Sequence, residues 1–327
     1  MVAIERVEAR AYEIPTEGGP EADGTLEWRS TTLVVAHVWA GGLRGLGYTY
    51  ADAAAADVIN RVGEEELKGE DVLDVPARMV SLLKRVRNKG RPGLVAMALS
   101  AVDAALWDTK ARLLNVPLVK LLGAARERVP VYGSGGFTSY SEEKLREQMA
   151  GWAEEGIERV KMKVGSHPEE DVRRVKAARE ATGPGVELFV DGNGAYTTKQ
   201  ALALAERFGE YGWDAIYFRR MLGAGAVDVL QADATRCLGV TGFLQVDALC
   251  EGFQVPLSAH CAPSLHVHAC CAARNVVHLE YFHDHVRIER MLFDGAPRQE
   301  KGELAPDLTR PGLGLELKRV EAEKYEV

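Results

Sequence analysis

Cysteine is scarce in this chain. Its 327 residues include five, an odd number with no CxxC pair, which argues against a disulfide framework and for a reduced intracellular protein. Long apolar runs are missing as well. None approaches the ~20 residues needed to cross a bilayer. The N-terminal MVAIERVEARAYEIP carries charges every few residues and has no apolar stretch long enough for a signal peptide. No basic run offsets a formal net charge of −8, so a nucleic-acid surface is not expected. No GxGxxG follows the first strand of the alternating region, which leaves a dinucleotide cofactor without support. What is present, 46% hydrophobic and 27% charged residues, is the composition of a globular protein, expected to be cytoplasmic.

The patterning divides the chain. Residues 1–125 read as an N-terminal α+β unit. AIERVEARAYEI and TTLVVAHVWA alternate like strands, Gly41-Gly42 supplies a turn before LRGLGYTY, and VAMALSAVDAALWDTKARLLN has helical spacing. Between the first two strands lies a polar, glycine-rich stretch, PTEGGPEADGTLEWRS, which reads as a mobile loop. From about residue 128 the rhythm becomes strand, helix, strand, helix. The strand-like runs are VPVYGS, RVKMKV, VELFVD, VDVLQAD, VPLSAH and VVHLEYF. Such alternation predicts a parallel sheet with covering helices over residues 126–300, either open or closed into a barrel. Residues 301–327 form a C-terminal segment expected to pack back on the first unit.

Ionisable residues cluster at the C-terminal ends of these strands: Lys161 and Lys163, Asp191 and Asn193, Asp233, His260 and Glu280. Barrel enzymes place their reacting groups at that end. Lys161 and Lys163, two apart, share a face. Two ammonium groups so close predict that at least one loses its proton more readily than usual and can act as a base. Asp191 and Asn193 share a face too, and a carboxylate beside an amide suits a hard cation, although DGNG is also ordinary turn chemistry. Asp233 and His260, from adjacent strands, predict a carboxylate holding an imidazole. The stretch HCAPSLHVHACC gathers His260, Cys261, His266, His268, Cys270 and Cys271 but lacks the spacing of a strong zinc motif. Its SLHVHACCAARN portion reads better as a helix.

These motifs, VKMKVG, VDGNGAY, VDVLQAD, AHCAPSLH and HLEYF, together with AVDAALWDTKARLLNVPLVKLLG in the first unit, resemble the mandelate-racemase-like branch of the enolase superfamily. The resemblance spans almost the whole chain. It implies a modified TIM barrel with an N-terminal α+β capping domain, Mg²⁺, and removal of the proton α to a carboxylate. Lys163 is then one base, and Lys161 its neighbour, helping to neutralise the carboxylate of the substrate. His260, held by Asp233, is the acid or base on the opposite face. Glu280 hydrogen-bonds the developing enolate as an acid, Asp191 is a metal ligand and Asn193 a substrate contact. The substrate implied is a small carboxylate, a sugar acid undergoing dehydration, with racemisation or epimerisation of a hydroxy acid as the alternative. The loop 16–30 is expected to cap it. A homo-oligomer is implied as well.

One departure stands out. The family's third to fifth barrel strands supply three acidic ligands, the second in a Glu-Glu-Pro motif that this sequence lacks. A barrel of ~250 residues gives about 30 per βα unit, and residues 128–294 fall below the ~200-residue lower end for the fold. The deficit matches a strand-helix-strand piece, missing around Gly209–Trp213, where ALALAERFGEYGWDAIYFRRML runs from one helical pattern into the next. Two readings of GEYGW remain. Either Glu210 is the third-ligand residue and one ligand is lost, or the segment simply ends a helix and two are. Either way, residues 205–225 are expected to be the least firmly held part of the barrel, and a catalytically impaired remnant is a third functional possibility.

Overall fold

The computed structural model describes residues 1–196, 222, 223, 225 and 227–327. Its first strands are β1 (Ile4–Pro15), the two-residue β2 (Glu21–Ala22) and β3 (Glu27–Trp28), β4 (Ser30–Ala40) and β5 (Leu43–Tyr50). β1, β4 and β5 form an antiparallel sheet with β4 in the centre. Period-two alternation decides what β4 touches. Val34, Ala36 and Val38 join an apolar cluster with Ile59, Leu99 and Val102, while Leu33 and Val35 join a second cluster with Val131 and Val160. Helices α1 (Ala54–Val62), α2 (Val75–Arg85) and α3 (Ala96–Leu113) follow. Two glycines of LRGLGYTY set how closely α3 lies on β5. A Cβ at Gly47 would stand 2.1 Å from the Ala101 carbonyl oxygen, and one at Gly45 2.1 Å from Thr109 Oγ1.

After the short α4 (Leu118–Leu122), the six strand-like runs of the sequence become six parallel strands: β6 (Val129–Gly135), β7 (Arg159–Lys163), β8 (Glu187–Asp191), β9 (Leu230–Ala232), β10 (Leu257–Ala259) and β11 (Val276–Phe282). They lie in the order β8-β7-β6-β11-β10-β9, every neighbouring pair parallel. The sheet is a curled half-barrel, the core of a modified TIM barrel. Helices α5 (Glu142–Glu154) and α6 (Pro168–Thr182) return the chain between β6, β7 and β8. Ser141 starts α5 by accepting the Lys144 N–H through its hydroxyl at 3.2 Å. The helix expected from SLHVHACCAARN spans Pro263–Ala272. Among the described residues β8 and β9 are the two edges of this sheet. The Gly209–Trp213 junction, Glu210, and most of the 205–225 stretch expected to be weakly held lie outside the described residues.

The C-terminal segment touches both parts. Glu303–Leu304 pairs with the start of β6, Glu316–Leu317 pairs with Phe293–Asp294, and Glu326 bridges to Tyr12 of β1. Among the described residues, no helix is long and apolar enough to cross a membrane.

The loop between β1 and β4, which the sequence reads as mobile, is tied down over the barrel strand ends. Thr138 N–H donates to the Ala22 carbonyl at 2.8 Å, and the Ser166 and Thr138 hydroxyls donate to the Asp23 carbonyl at 2.6 and 2.9 Å. Gly24 lies so close that a Cβ there would stand 2.4 Å from the Gly192 carbonyl oxygen and 2.6 Å from that of Val164. Glu21, within this loop, is buried, with no well-formed hydrogen bond to either carboxyl oxygen. Burial first, then repulsion from Asp284, push its pKa up to about 8, with only partial relief from Arg287, Trp28 and Lys144. A carboxyl whose folded pKa exceeds its ordinary 4.5 stabilises the closed loop fully below that value. The contribution fades as pH rises and is lost through about 8. Hydrogen exchange of residues 18–28 is therefore expected to accelerate beyond its intrinsic pH dependence from about pH 5 to about pH 8, and no further above that. Glu21→Gln is expected to abolish that extra acceleration; an unchanged profile in the variant would remove Glu21 as the cause.

Candidate active site

Strands of a parallel sheet buried on both faces are apolar along their length, so polar side chains gather where the strands end. β7 brings Lys161 and Lys163 to the same face, and both ammonium groups reach Asp191 at the end of β8. Lys163 Nζ lies 2.6 Å and Lys161 Nζ 3.4 Å from Asp191 Oδ2. Lys161 also pairs with Glu280 Oε1 of β11 at 2.7 Å. Lys161 is 2% and Glu280 1% exposed, so this is a buried ion pair.

That pair decides the state of Lys161. Two neighbouring lysines alone predict that at least one of them loses its proton more readily than usual, and Lys161 is not that one. Burial does act that way on Lys161, but Glu280 foremost, with Asp191, outweighs it and holds the ammonium well above the ordinary lysine value. The decisive partner comes from a strand more than a hundred residues further along the chain. The same pairing corrects the expectation that Glu280 serves as an acid. Burial would raise its pKa, yet Lys161, His260 and Lys163 hold it well below the ordinary carboxyl value. Glu280 is thus a carboxylate that accepts hydrogen bonds, and Lys161 is the proton-bearing member of the pair.

Asp191 behaves similarly: burial opposes ionisation, but the two lysines and the Asn193 N–H, at 3.0 Å from Oδ1, keep it ionised. Asn193 turns in the left-handed region, with φ of 48°, and its Oδ1 is buried without a hydrogen-bond partner. Asp191 closes β8 and Asn193 lies in the turn beyond it, so the strand face they were expected to share is not formed. A carboxylate and an orphaned amide oxygen two residues apart are still oxygen donors of the kind a hard cation takes, and Mg²⁺ would complete such a set with water or substrate oxygens. The residues present therefore fit Mg²⁺ through Asp191 and Asn193; the expected contribution of Glu210 lies outside the described residues.

Across the sheet, β9 and β10 lie side by side and end in Asp233 and His260. His260 Nδ1 stands 2.8 Å from Asp233 Oδ2. Burial would raise the Asp233 pKa, but His260 and Arg236 hold the carboxyl well below its ordinary value. A carboxylate only accepts, so Nδ1 carries the proton and Nε2 is left facing the site. Asp233 is fixed in turn by the Thr235 N–H and hydroxyl, both at 2.7 Å from Oδ1. His260 Nε2 is 3.7 Å from Glu280 Oε2, so the two halves of the constellation meet at Glu280. His266 and His268 serve the scaffold instead. His266 accepts the Ala234 N–H at 2.7 Å, and His268 lies between the Val119 N–H and the Leu313 carbonyl.

Sequence reading overlooked two contributors, Tyr132 and Glu289, and set a third, Cys261, aside with a weak zinc motif. Tyr132 sits with its ring 5.5 Å from Lys161 Nζ and its hydroxyl 2.6 Å from Gln231 Nε2. Glu289 anchors the helix Pro263–Ala272 through the Ser264 N–H and hydroxyl. Cys261 stands beside His260 and Glu280, a convergence that the spacing of HCAPSLHVHACC does not contain.

A capped half-barrel with lysines at one strand end, a His-Asp pair across from them and oxygen donors between defines a class of enzyme that removes a proton next to a carboxylate. Residues 21–123 match the mandelate racemase / muconate lactonizing enzyme N-terminal domain, and residues 144–216 and 208–321 match the enolase C-terminal domain-like family. The chain belongs to the mandelate racemase / muconate lactonizing enzyme family of the enolase superfamily. The second match breaks at 208–216, around the junction where the sequence reads as shortened.

A mandelate racemase/muconate lactonizing enzyme-like protein from Rubrobacter xylanophilus is 49% identical, with 99% of this chain and 100% of that one covered and a TM-score of 0.92. A racemase from Streptomyces coelicolor, solved with bound magnesium, is 28% identical over 99% of this chain and 100% of that one, with a TM-score of 0.90. L-talarate/galactarate dehydratase of Salmonella typhimurium is 30% identical over 281 residues, 74% of this chain and 70% of the relative. Homologues of this chain are thus sugar-acid dehydratases of a Mg²⁺-dependent superfamily, with racemases among the structural neighbours.

Proposed function

We propose that the protein dehydrates a small sugar acid in the cytoplasm, as a homo-oligomer, with residues 1–125 as cap, 126–300 as catalytic barrel and 301–327 as a segment joining them. The observation that carries this reading is the placement of two proton-transfer groups at the C-terminal ends of separate strands, Lys163 on β7 and His260 beyond β10, with Glu280 on the intervening β11. Lys163 takes the α-proton, and Lys161 neutralises the carboxylate of the substrate. Asp191 and Asn193 would hold Mg²⁺, which would supply positive charge for the electrons that move into the carboxylate of the substrate. Asn193 also contacts the substrate. His260, oriented by Asp233, delivers a proton to the departing β-hydroxyl, so that water leaves and the enol product becomes a 2-keto acid. The loop 16–30 closes over the substrate. A net charge of −8 speaks against a nucleic acid as partner.

The test is incubation in D₂O with a panel of sugar acids and α-hydroxy acids, with Mg²⁺ or with a chelator, following the α-hydrogen by NMR. Mg²⁺-dependent exchange together with a 2-keto-3-deoxy product is the expected result. Exchange with an epimer as the only product would establish the second reading, racemisation or epimerisation, which groups on opposite sides equally permit. No exchange on any acid would leave a catalytically impaired member of the family.

A further inference from the structure

We propose that His260, Cys261 and Glu280 form a second metal site, chemically distinct from the oxygen donors Asp191 and Asn193, that binds Zn²⁺ and thereby blocks His260. His260 Nε2, Cys261 Sγ and Glu280 Oε2 converge: nitrogen to sulfur is 3.3 Å, sulfur to oxygen 3.5 Å and nitrogen to oxygen 3.7 Å. An ion equidistant from three atoms so spaced lies about 2 Å from each. Zn²⁺ prefers ~2.0–2.3 Å to these donor types, and nitrogen, thiolate and carboxylate together are a set it takes and Mg²⁺ does not.

The surroundings are already those of a zinc site. His260 gives its other ring N–H to Asp233 at 2.8 Å, the carboxylate–histidine arrangement that orients a metal-binding imidazole. The second oxygen of Glu280 is held by Lys161 at 2.7 Å, and Glu280 Oε2 also accepts the Cys261 N–H at 3.3 Å. Cys261 and Glu280 are buried, whereas His260 is 30% exposed in its side chain, so an ion can enter from the His260 side and keep a water as fourth ligand. On binding, the thiol proton passes to solvent. The ammonium of Lys161 stands between Glu280 and Asp191 and separates the two sites. Spacing in HCAPSLHVHACC could not disclose this set, because its third ligand comes from β11.

The inhibition rests on the proposed function; the binding does not. The experiment is titration of the Mg²⁺-loaded protein with Zn²⁺ by calorimetry, and with Co²⁺ as an optical probe. Expected are one bound ion per chain that excess Mg²⁺ does not displace and a cobalt–thiolate charge-transfer band. Cys261→Ser is expected to abolish the band, His260→Asn to weaken binding at least tenfold, and Asp233→Asn to weaken it by about 10–100-fold. Displacement by Mg²⁺, absence of the band, or a band that survives Cys261→Ser and so belongs to another cysteine would each overturn the proposal. Zinc binding without any α-proton exchange would leave this site standing and defeat the dehydratase reading. Exchange in a protein that takes no zinc would do the reverse.

Discussion

Replacing Lys161 with methionine is expected to destabilise the protein by about 3–5 kcal/mol, the cost of breaking a buried ion pair from one side. Total stabilities of ~5–15 kcal/mol make that a large fraction. The structural ground is specific. Lys161 Nζ is 2.7 Å from Glu280 Oε1, which is buried, and 3.4 Å from Asp191 Oδ2, which is only partly exposed. Without the ammonium, Glu280 retains only the Cys261 N–H and its sulfur and the more distant His260. It must then take up a proton or stay buried with its charge unbalanced. Urea unfolding measures the loss. Adding Glu280→Gln to Lys161→Met is expected to restore most of it, because the second substitution removes the stranded charge. A loss below about 1 kcal/mol in the single variant, the range of an exposed pair, would mean that the pair is solvated in solution. The same variant is expected to lower α-proton exchange by 100-fold or more, since the carboxylate of the substrate loses its counter-charge.

Lys161 also marks the border of what the sequence discloses. That it points with Lys163 into the site follows from strand periodicity alone, and so does the convergence of Asp233 with His260, once their runs are read as neighbouring parallel strands. All six strand-like runs became strands because, in a parallel sheet covered on both faces, each strand must be short and apolar, with its polarity deferred to its end. The charge state of Lys161 did not follow. It depends on Glu280, whose place beside β7 is decided by β11 docking on β6, a pairing across some 150 residues. The meeting of Cys261 with Glu280 escaped for the same reason. Glu21 looked like one more polar residue of a mobile loop, and only the docked loop shows it buried, within reach of Asp284 and Arg287 from far along the chain. Local chemistry was legible where neighbours in sequence supply the partners, and illegible where the topology does.

His260→Asn is expected to split the reaction. Asparagine can keep a hydrogen bond to Asp233 but cannot deliver a proton at the place of Nε2. If Lys163 takes the α-proton and His260 serves the departing hydroxyl, the variant should still exchange the α-hydrogen in D₂O at a rate close to that of the unsubstituted protein. Release of the keto acid should fall by about 10²–10⁴-fold, the usual worth of a positioned acid. Asp233→Asn should follow the same pattern, because an amide in place of the carboxylate no longer fixes the proton on Nδ1. Both are expected to act on kcat more than on KM, since neither residue is assigned to holding the substrate. The alternative chemistry gives a different signature. An epimerase lacking His260 would exchange the α-hydrogen of one epimer only and interconvert neither. Equal loss of exchange and water release would instead make His260 the base, and Lys163 would then be the group that only steadies Asp191, to which it lies 2.6 Å.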